Sequence, residues 1–518
     1  MLGFVILLWI SFSLLILLFR TRRPTNFPPG PGPIPIFGNL LQLNLESLPS
    51  DLTKLSERYG KVYSIYLGSK SAVVLNGLQA MREALVTQSV EFVGRPKDLM
   101  VNHLTEDTGI IMTDGSMWKE HRRFTLTTLR NFGMGKHTME ERILGEISYI
   151  ASQLEKNAGK PTDPQTLLHK ATFNVICMVL FGTRFKHEDE FLQLTIRNLR
   201  ESSRIINGPW SMKVFENRII LKKPLGDQVS QHKEYRVPGE PRDLIDCYLD
   251  EMEKRGDDGS SFSEYQLVSY LLDILFAGTE TSANTLLSAF LYITTHPDVQ
   301  GELLVAFLWL PLHETELLTA ATAFMVENSL SQLNDVCHFS LWSPERCQKE
   351  IDEVLGEKEQ ATFEDRHRMP YTQAMIHEIQ RVADTAPLAV FHATTKDTRL
   401  MGYDIPKGTI IIPNLSSVLN EESQWKFPHD FNPSNFLNDQ GEFVKPEASM
   451  PFSAGPRLCP GEGLARMELF LILVTLLRRF KFVWPEDAGV PDYTPIFGAN
   501  HTPKPYRMGV KVRGSSNQ

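Results

Sequence analysis

The chain has 518 residues, with 53 Lys and Arg against 62 Asp and Glu, and a formal charge of −9. With 42% hydrophobic and 22% charged residues, it has the composition of a folded globular protein rather than a disordered or collagen-like one. A mildly acidic chain without a long basic run has no electrostatic footprint for nucleic acid. Length alone allows about three domains at ~150 residues each. Five cysteines, Cys177, Cys247, Cys337, Cys347 and Cys459, are too few and odd in number for a disulfide framework. They point to a reducing, cytosol-facing compartment in which a single thiol can matter chemically.

From Met1 to Phe19 the sequence MLGFVILLWISFSLLILLF carries no charge. About 20 apolar residues suffice to cross the hydrocarbon core, so residues 1–20 are expected to be a membrane anchor. Arg20, Arg22 and Arg23 follow directly, which keeps the carboxyl side in the cytoplasm. A cleaved secretory signal is the rival reading; the absence of a basic start and of a small-x-small cleavage site counts against it. Residues 21–38 are basic and proline-rich. Pro28-Pro29-Gly30-Pro31-Gly32-Pro33 cannot be helical and reads as a stiff hinge.

Residues 39–518 form the expected globule. Val62–Leu67 and Ala72–Leu75, separated by Gly68-Ser69-Lys70, predict a hairpin. Helical periodicity then dominates to about residue 300, and short strands return near 389–394 and 408–412. The fold class is mainly α with small β-sheets. One helix is unusually long: Ser261-Phe262-Ser263-Glu264 fits a capping box, and the pattern continues to Thr295 before His296-Pro297 ends it. A second membrane span is disfavoured, because Asp273, Glu280 and Asn284 occupy its middle. Pro224-Leu225-Gly226 is expected to interrupt an earlier helical stretch.

The chemistry centres on Pro451-Phe452-Ser453-Ala454-Gly455-Pro456-Arg457-Leu458-Cys459-Pro460-Gly461, followed by the apolar helical run Leu464 to Leu477. A thiol just before a helix amino terminus sits among unpaired N–H groups and the positive end of the dipole, and both stabilise thiolate. Such a thiolate can be an axial ligand to haem iron. The segment resembles the F-x-x-G-x-R-x-C-x-G ligand loop of the cytochrome P-450 superfamily at every fixed position, through Phe452, Gly455, Arg457, Cys459 and Gly461. A buried structural cysteine is the alternative.

Three further segments resemble the same superfamily in the same order. Ala277-Gly278-Thr279-Glu280-Thr281-Ser282 is similar to its oxygen-activation motif. There Gly278 allows close approach of a ligand. The Thr281 hydroxyl can back-bond four residues earlier and loosen the helix. An acid beside an alcohol, Glu280 with Thr281, is a plausible proton relay. A simple helix-packing glycine is the competing reading. Glu378-Ile379-Gln380-Arg381 resembles the family's E-x-x-R, whose implied role is a buried structural lock. Asn435 stands where the family places a basic third partner. Trp118-Lys119-Glu120-His121-Arg122 is similar to the W-x-x-x-R helix that binds a haem propionate, with Trp118 and Arg122 on one face. His392 and Arg457 take the other propionate positions. Lys119, Arg122, Arg123 and Arg130 offer a docking face to an acidic reductase, or simply a solvated helix face.

The resemblance covers nearly the whole chain, from PPGPGPIPIFGNL to the final strands. WKEHRRFTLTTLRNFGMGKHTMEERI and MPYTQAMIHEIQRVA place it with the microsomal second family of animal enzymes, most like J-type members, whose activities include oxidation of arachidonic acid and drugs. The resemblance implies haem b with a cysteine thiolate ligand in a long-central-helix fold. It implies a monooxygenase of the endoplasmic reticulum membrane, with electrons from NADPH through a flavoprotein reductase and cytochrome b5 as a further partner. By the same analogy Ile111, Phe276, Ala277, Leu388, Val390 and Phe497 line the substrate pocket, with core packing as the alternative. Two rival functions stay open: a haem-thiolate isomerase that needs no external electrons, and an inactive haem binder. The second arises from a departure. Gly301 to Pro344, 44 residues between Gln300 and Glu345, interrupt what the family builds as one helix. The expectation is a translated intron or gene-model error. A shortening near Pro209–Lys213 alters the expected roof of the pocket.

Overall fold

The structure, a computed structural model, describes residues 23–97, 99–132, 137–207, 212–256, 259, 261–296 and 344–514. The expected anchor, nearly all of the 301–344 segment and most of the shortened stretch near 209–213 lie outside the described residues. No helix among the described residues is long and apolar enough to cross a membrane.

In chain order the longer elements are α1 (Leu48–Tyr59), the strands β1 (Val62–Leu67) and β2 (Lys70–Leu75), then α2 (Gly115–Phe132), α3 (His137–Lys156), α4 (Gln165–Leu180), α5 (Glu190–Ile205), α6 (Met212–Tyr235), α7 (Leu244–Arg255), α8 (Glu264–Thr295), α9 (Pro344–Leu355) and α10 (Pro370–Ala383). Strands β3 (His392–Ala393), β4 (Thr398–Leu400), β5 (Tyr403–Ile405) and β6 (Ile410–Pro413) follow, then α11 (Glu462–Arg479), β7 (Phe480–Val483), β8 (Ile496–Phe497), β9 (His501–Thr502) and β10 (Gly509–Val512). The expected hairpin forms, with Val62 opposite Leu75 and Leu67 opposite Lys70. It is extended by β6, parallel to β2, and by β3, antiparallel to β6. The later chain thereby returns to the sheet of the early chain.

α8 organises the helical layer. Its 32 residues span about 48 Å at 1.5 Å per residue. It packs against α4, α5, α6, α10 and α11, so most of its side chains are buried although the helix is not a membrane span. Its cap lies two residues later than expected. Ser263 Oγ accepts from Gln266 N at 3.2 Å, while Ser261 Oγ donates to Glu120 Oε2 at 3.1 Å. Ser263-Glu264-Tyr265-Gln266 repeats the capping pattern, and Phe262 just before it is buried in a stack with His121, which fixes the entry of the chain. Pro224 does not interrupt α6 either. Its missing N–H costs one helical bond, but Leu221, Leu225 and Val229 are buried on one face, and that burial carries the helix through.

The Glu378–Arg381 lock on α10 is complete. Arg381 Nε donates to Glu378 Oε2 at 2.8 Å and Nη2 to Oε1 at 2.7 Å, with both side chains almost wholly buried. The remaining N–H groups of Arg381 reach the carbonyls of Leu419, Phe427, Pro428 and Asp430. Asn435 replaces a cation without leaving a gap: its Nδ2 donates to Glu378 Oε1 at 3.1 Å and its Oδ1 accepts from Phe427 N. Burial raises the Glu378 pKa, and the Arg381 bonds oppose that. Because a buried ion pair stripped of one partner leaves an unmatched charge, Arg381→Met should cost about 3–5 kcal/mol of stability, against about 1–3 for Asn435→Ala. Urea denaturation followed by tryptophan fluorescence measures both.

Candidate active site

The Cys459 loop is shaped by its glycines. Gly455 has φ +72°, and a Cβ there would meet Leu85 O at 1.8 Å, so the loop lies directly on the backbone of the residues after β2. Cys459 N donates to Phe452 O at 3.1 Å, closing the turn. The half-buried thiol then stands before α11, whose N-cap is Gly461. Burial, with the Glu462 carboxylate, raises its pKa above that of a free thiol, and the N–H groups of Gly461 and Glu462 and the guanidinium of Arg122 offset only part of that rise. These are donors aimed at a sulfur anion. Cys177 and Cys347 are fully buried, and desolvation drives both thiols up as it does Cys459, without the N–H groups of a following helix to offset it.

Segments far apart in sequence converge on this loop. Arg122 of α2 donates to Leu458 O at 2.5 Å. Arg457 stacks its guanidinium 3.8 Å from the Trp118 ring centroid and donates to Val93 O and Thr113 O. Arg95, which sequence reasoning missed, donates to Ile111 O at 2.8 Å and to the carbonyls of Val390 and Phe391. A single arginine between Gly94 and Pro96 has no spacing signal that could have revealed it. His392 is buried on β3 with Nδ1 2.7 Å from Phe92 O.

These cations disturb one another. Burial lowers Arg95 to about 9 and Arg457 to about 8; the charge of Arg122 adds to both shifts and that of Arg95 to the second, partly offset by Asp114. Burial, with Arg95 and Arg457 nearby, drives His392 down to about 3. Arg457 Nη1 is buried without an acceptor. A cluster so short of negative charge fits a carboxylate-bearing cofactor.

The motif on α8 presents a partly open face. Phe276, Ala277, Gly278 and Thr281 are half-buried in an otherwise buried stretch. Thr281 Oγ1 donates to Ala277 O at 2.6 Å, the expected back-bond. Gly278 serves packing here: a Cβ would meet Ile176 Cγ1 of α4 at 2.9 Å. Glu280 is turned toward α4, with Oε1 3.7 Å from His169 Nε2, and neither atom has a hydrogen-bond partner. Asp273 has an unforeseen role. Its Oδ2 accepts from Ile110 N and Ile111 N at 2.8 and 3.0 Å, which ties the 109–111 loop to α8. Ile111 and Phe276 pack against the large helical core, whereas Leu388 and Phe497 join the cluster on the β-sheet, and Val390 is exposed. The suggested lining residues therefore fall in two separate packing clusters.

The sequence model of the family Cytochrome P450 matches residues 28–304 and 344–510. The chain belongs to the cytochrome P450 family. It is 39% identical to Cytochrome P450 2F2 of Mus musculus, covering 94% of both chains, and 38% identical to Cytochrome P450 2F2 of Rattus norvegicus, covering 98% of this chain and 99% of that one. It is 37% identical to Cytochrome P450 2C8 of Homo sapiens, covering 93% of this chain and 94% of that one. These relatives place it within the second family, among monooxygenases that carry haem on a cysteine thiolate and draw electrons from NADPH through a reductase.

Beneath the α8 motif, Glu468 of α11 is buried against Ser282, and desolvation raises its pKa to about 8. A carboxyl whose folded pKa exceeds its unfolded value keeps its proton longer in the folded state, so stability falls as pH rises from about 4.5 to about 8. Glu468→Gln should flatten that decline, as measured by chemical denaturation at pH 5, 6, 7 and 8.

Proposed function

We propose that this chain is a microsomal haem-thiolate monooxygenase that holds haem iron through Cys459. It inserts one oxygen atom of O2 into apolar substrates, fatty acids such as arachidonic acid and xenobiotics, with electrons from NADPH through a reductase. The observation that carries the reading is the convergence of Arg95, Arg122 and Arg457 on the thiol loop, with too little negative charge to satisfy them.

When bound, haem supplies the oxygen chemistry, and a thiolate ligand favours O–O cleavage. The chain supplies the setting. The N–H groups of Gly461 and Glu462 would stabilise the sulfur anion, Phe452 closes its turn, and Arg95, Arg122, Arg457, Trp118 and His392 would hold the propionates. Thr281 can release its bond to the Ala277 carbonyl and hold a proton or a water at its Oγ1. Glu280 Oε1 faces His169 Nε2 of α4 at 3.7 Å, so its part in a relay with Thr281 requires that side chain to turn toward the hydroxyl. This acid and alcohol pair favours a monooxygenase over an isomerase; turnover without NADPH or reductase would reverse that choice. The anchor of residues 1–20 would hold the enzyme on the endoplasmic reticulum, with this globule in the cytosol.

The interruption of the family match at 305–343 supports the reading of residues 301–344 as a translated intron or gene-model error. Sequencing the mature transcript should show HPDVQ joined to ERCQKEID.

For the ligand, Cys459→Ser should abolish the red-shifted Soret band of the ferrous carbon monoxide complex and lower turnover by at least about 100-fold, on the scale of other lost metal-site groups. A retained band would refute the assignment. Lys119, Arg123 and Arg130 are exposed on α2, while Arg122 is turned inward. Reversing the three exposed charges to Glu should raise the KM for reductase about tenfold at low salt, with a smaller effect at high salt, as steady-state titration with reductase measures.

A further inference from the structure

α6 packs against α8, and its inner face is set by Val214, Asn217, Leu221 and Leu225, all buried. Arg218 stands on that face, four residues after Val214 and three before Leu221, where helical spacing calls for an apolar side chain. Its side chain is only 14% exposed. A guanidinium taken out of water needs acceptors for its N–H groups.

The acceptors at hand fall short. Arg218 Nη1 lies 3.4 Å from Asp273 Oδ1, longer than the ~2.7–2.9 Å of a charge-assisted bond. Asp273 Oδ2 already takes the N–H groups of Ile110 and Ile111. A Cβ at Gly109 would meet that same oxygen at 2.1 Å, so the loop clamps the carboxylate on the side away from α6. Glu106, another nearby carboxylate, is held by Lys222 and Tyr265. Arg218 Nε and Nη2 are both buried without an acceptor among the described residues. Arg381 shows what this chain builds around a guanidinium of purely structural use: its Nε and Nη2 grip the two oxygens of Glu378, and its Nη groups reach four backbone carbonyls. The edge of Arg218 that lacks acceptors is the one Arg381 presents to a carboxylate.

Position gives that edge a direction. Asp273, Ala277 and Thr281 recur every four residues along one side of α8, about 12 Å from first to last at 1.5 Å per residue. Half-buried Phe276 and Ala277 lie between the ends of this stripe, and Ile111, bonded to Asp273, stands at the Arg218 end. We infer that Arg218 binds the carboxylate of the substrate and so makes the enzyme selective for long-chain carboxylic acids over their neutral counterparts. The acid group lies across Nε and Nη2, and the hydrocarbon chain runs past Phe276 and Ala277 toward Thr281. Carbons beside the acid group are thereby kept away from Thr281, and carbons farther along the chain reach it. This assignment rests on the monooxygenase reading above and names the group in that site that recognises the acid.

The test titrates the full-length, haem-loaded protein with laurate and with methyl laurate, followed by the substrate-induced shift of the Soret band. Laurate should bind at least about tenfold more tightly than its ester, although the ester leaves water more readily. In Arg218→Gln that preference should fall to about twofold or less, and Arg218→Lys, which keeps the charge but not the fork, should recover part of it. The ferrous carbon monoxide spectrum is recorded on the same samples. A missing red-shifted band in the unaltered protein would refute the haem-thiolate reading itself. With the band present, equal affinity of the unaltered protein for acid and ester, or an undiminished preference in Arg218→Gln, would overturn the role of Arg218 alone.

Discussion

Charge removed from water must be matched by opposite charge or by directed hydrogen bonds, and that constraint shapes this molecule more than any other. At the Glu378–Arg381 lock the match is internal: a carboxylate, a guanidinium, Asn435 and four backbone carbonyls satisfy one another. At the Cys459 loop it is not. Arg122 lies near the thiol, and burial together with the charges of their neighbours lowers Arg95 and Arg457, with Asp114 as a partial counterweight. The first arrangement is a finished structural element. The second awaits an anion, and a haem with two propionates and an iron that prefers thiolate fits it.

The architecture serves that difference. α8 crosses the helical layer and carries two attachments to the site. Asp273 holds the 109–111 loop, and Phe276, Ala277, Gly278 and Thr281 form a half-buried face on the same helix. The sheet brings β3, with His392, beside β6 and β2, so residues hundreds of positions apart meet near Arg95. Packing therefore does two jobs at once, burying apolar surface and collecting cations.

Much of this was legible in the sequence. The Cys459 loop could be read because a helix start, a glycine turn and a thiol fall within a few residues. The β1–β2 hairpin and the 32-residue helix could be read because their periodicities are strong. Long-range contacts could not. Arg95 looked like any arginine before a proline, and Asp273 like a polar interruption of an apolar helix; the partners of both lie far along the chain. Pro224 misled because burial of Leu221 and Leu225 outweighs one lost backbone bond. The cap moved from Ser261 to Ser263 because two serines offer the same pattern, and the burial of Phe262 chose between them. At Gly278 the choice between ligand approach and helix packing depended on Ile176, a residue of another helix.

The central claim is that one sulfur atom and three guanidiniums frame a single bound group. A crystal structure of the haem-loaded protein, with the iron located by anomalous scattering, tests it directly. The account predicts iron bonded to Cys459 Sγ and propionates against Arg95, Arg122 and Arg457, beneath Thr281. Iron ligated by any other residue, or propionates remote from those arginines, would contradict it.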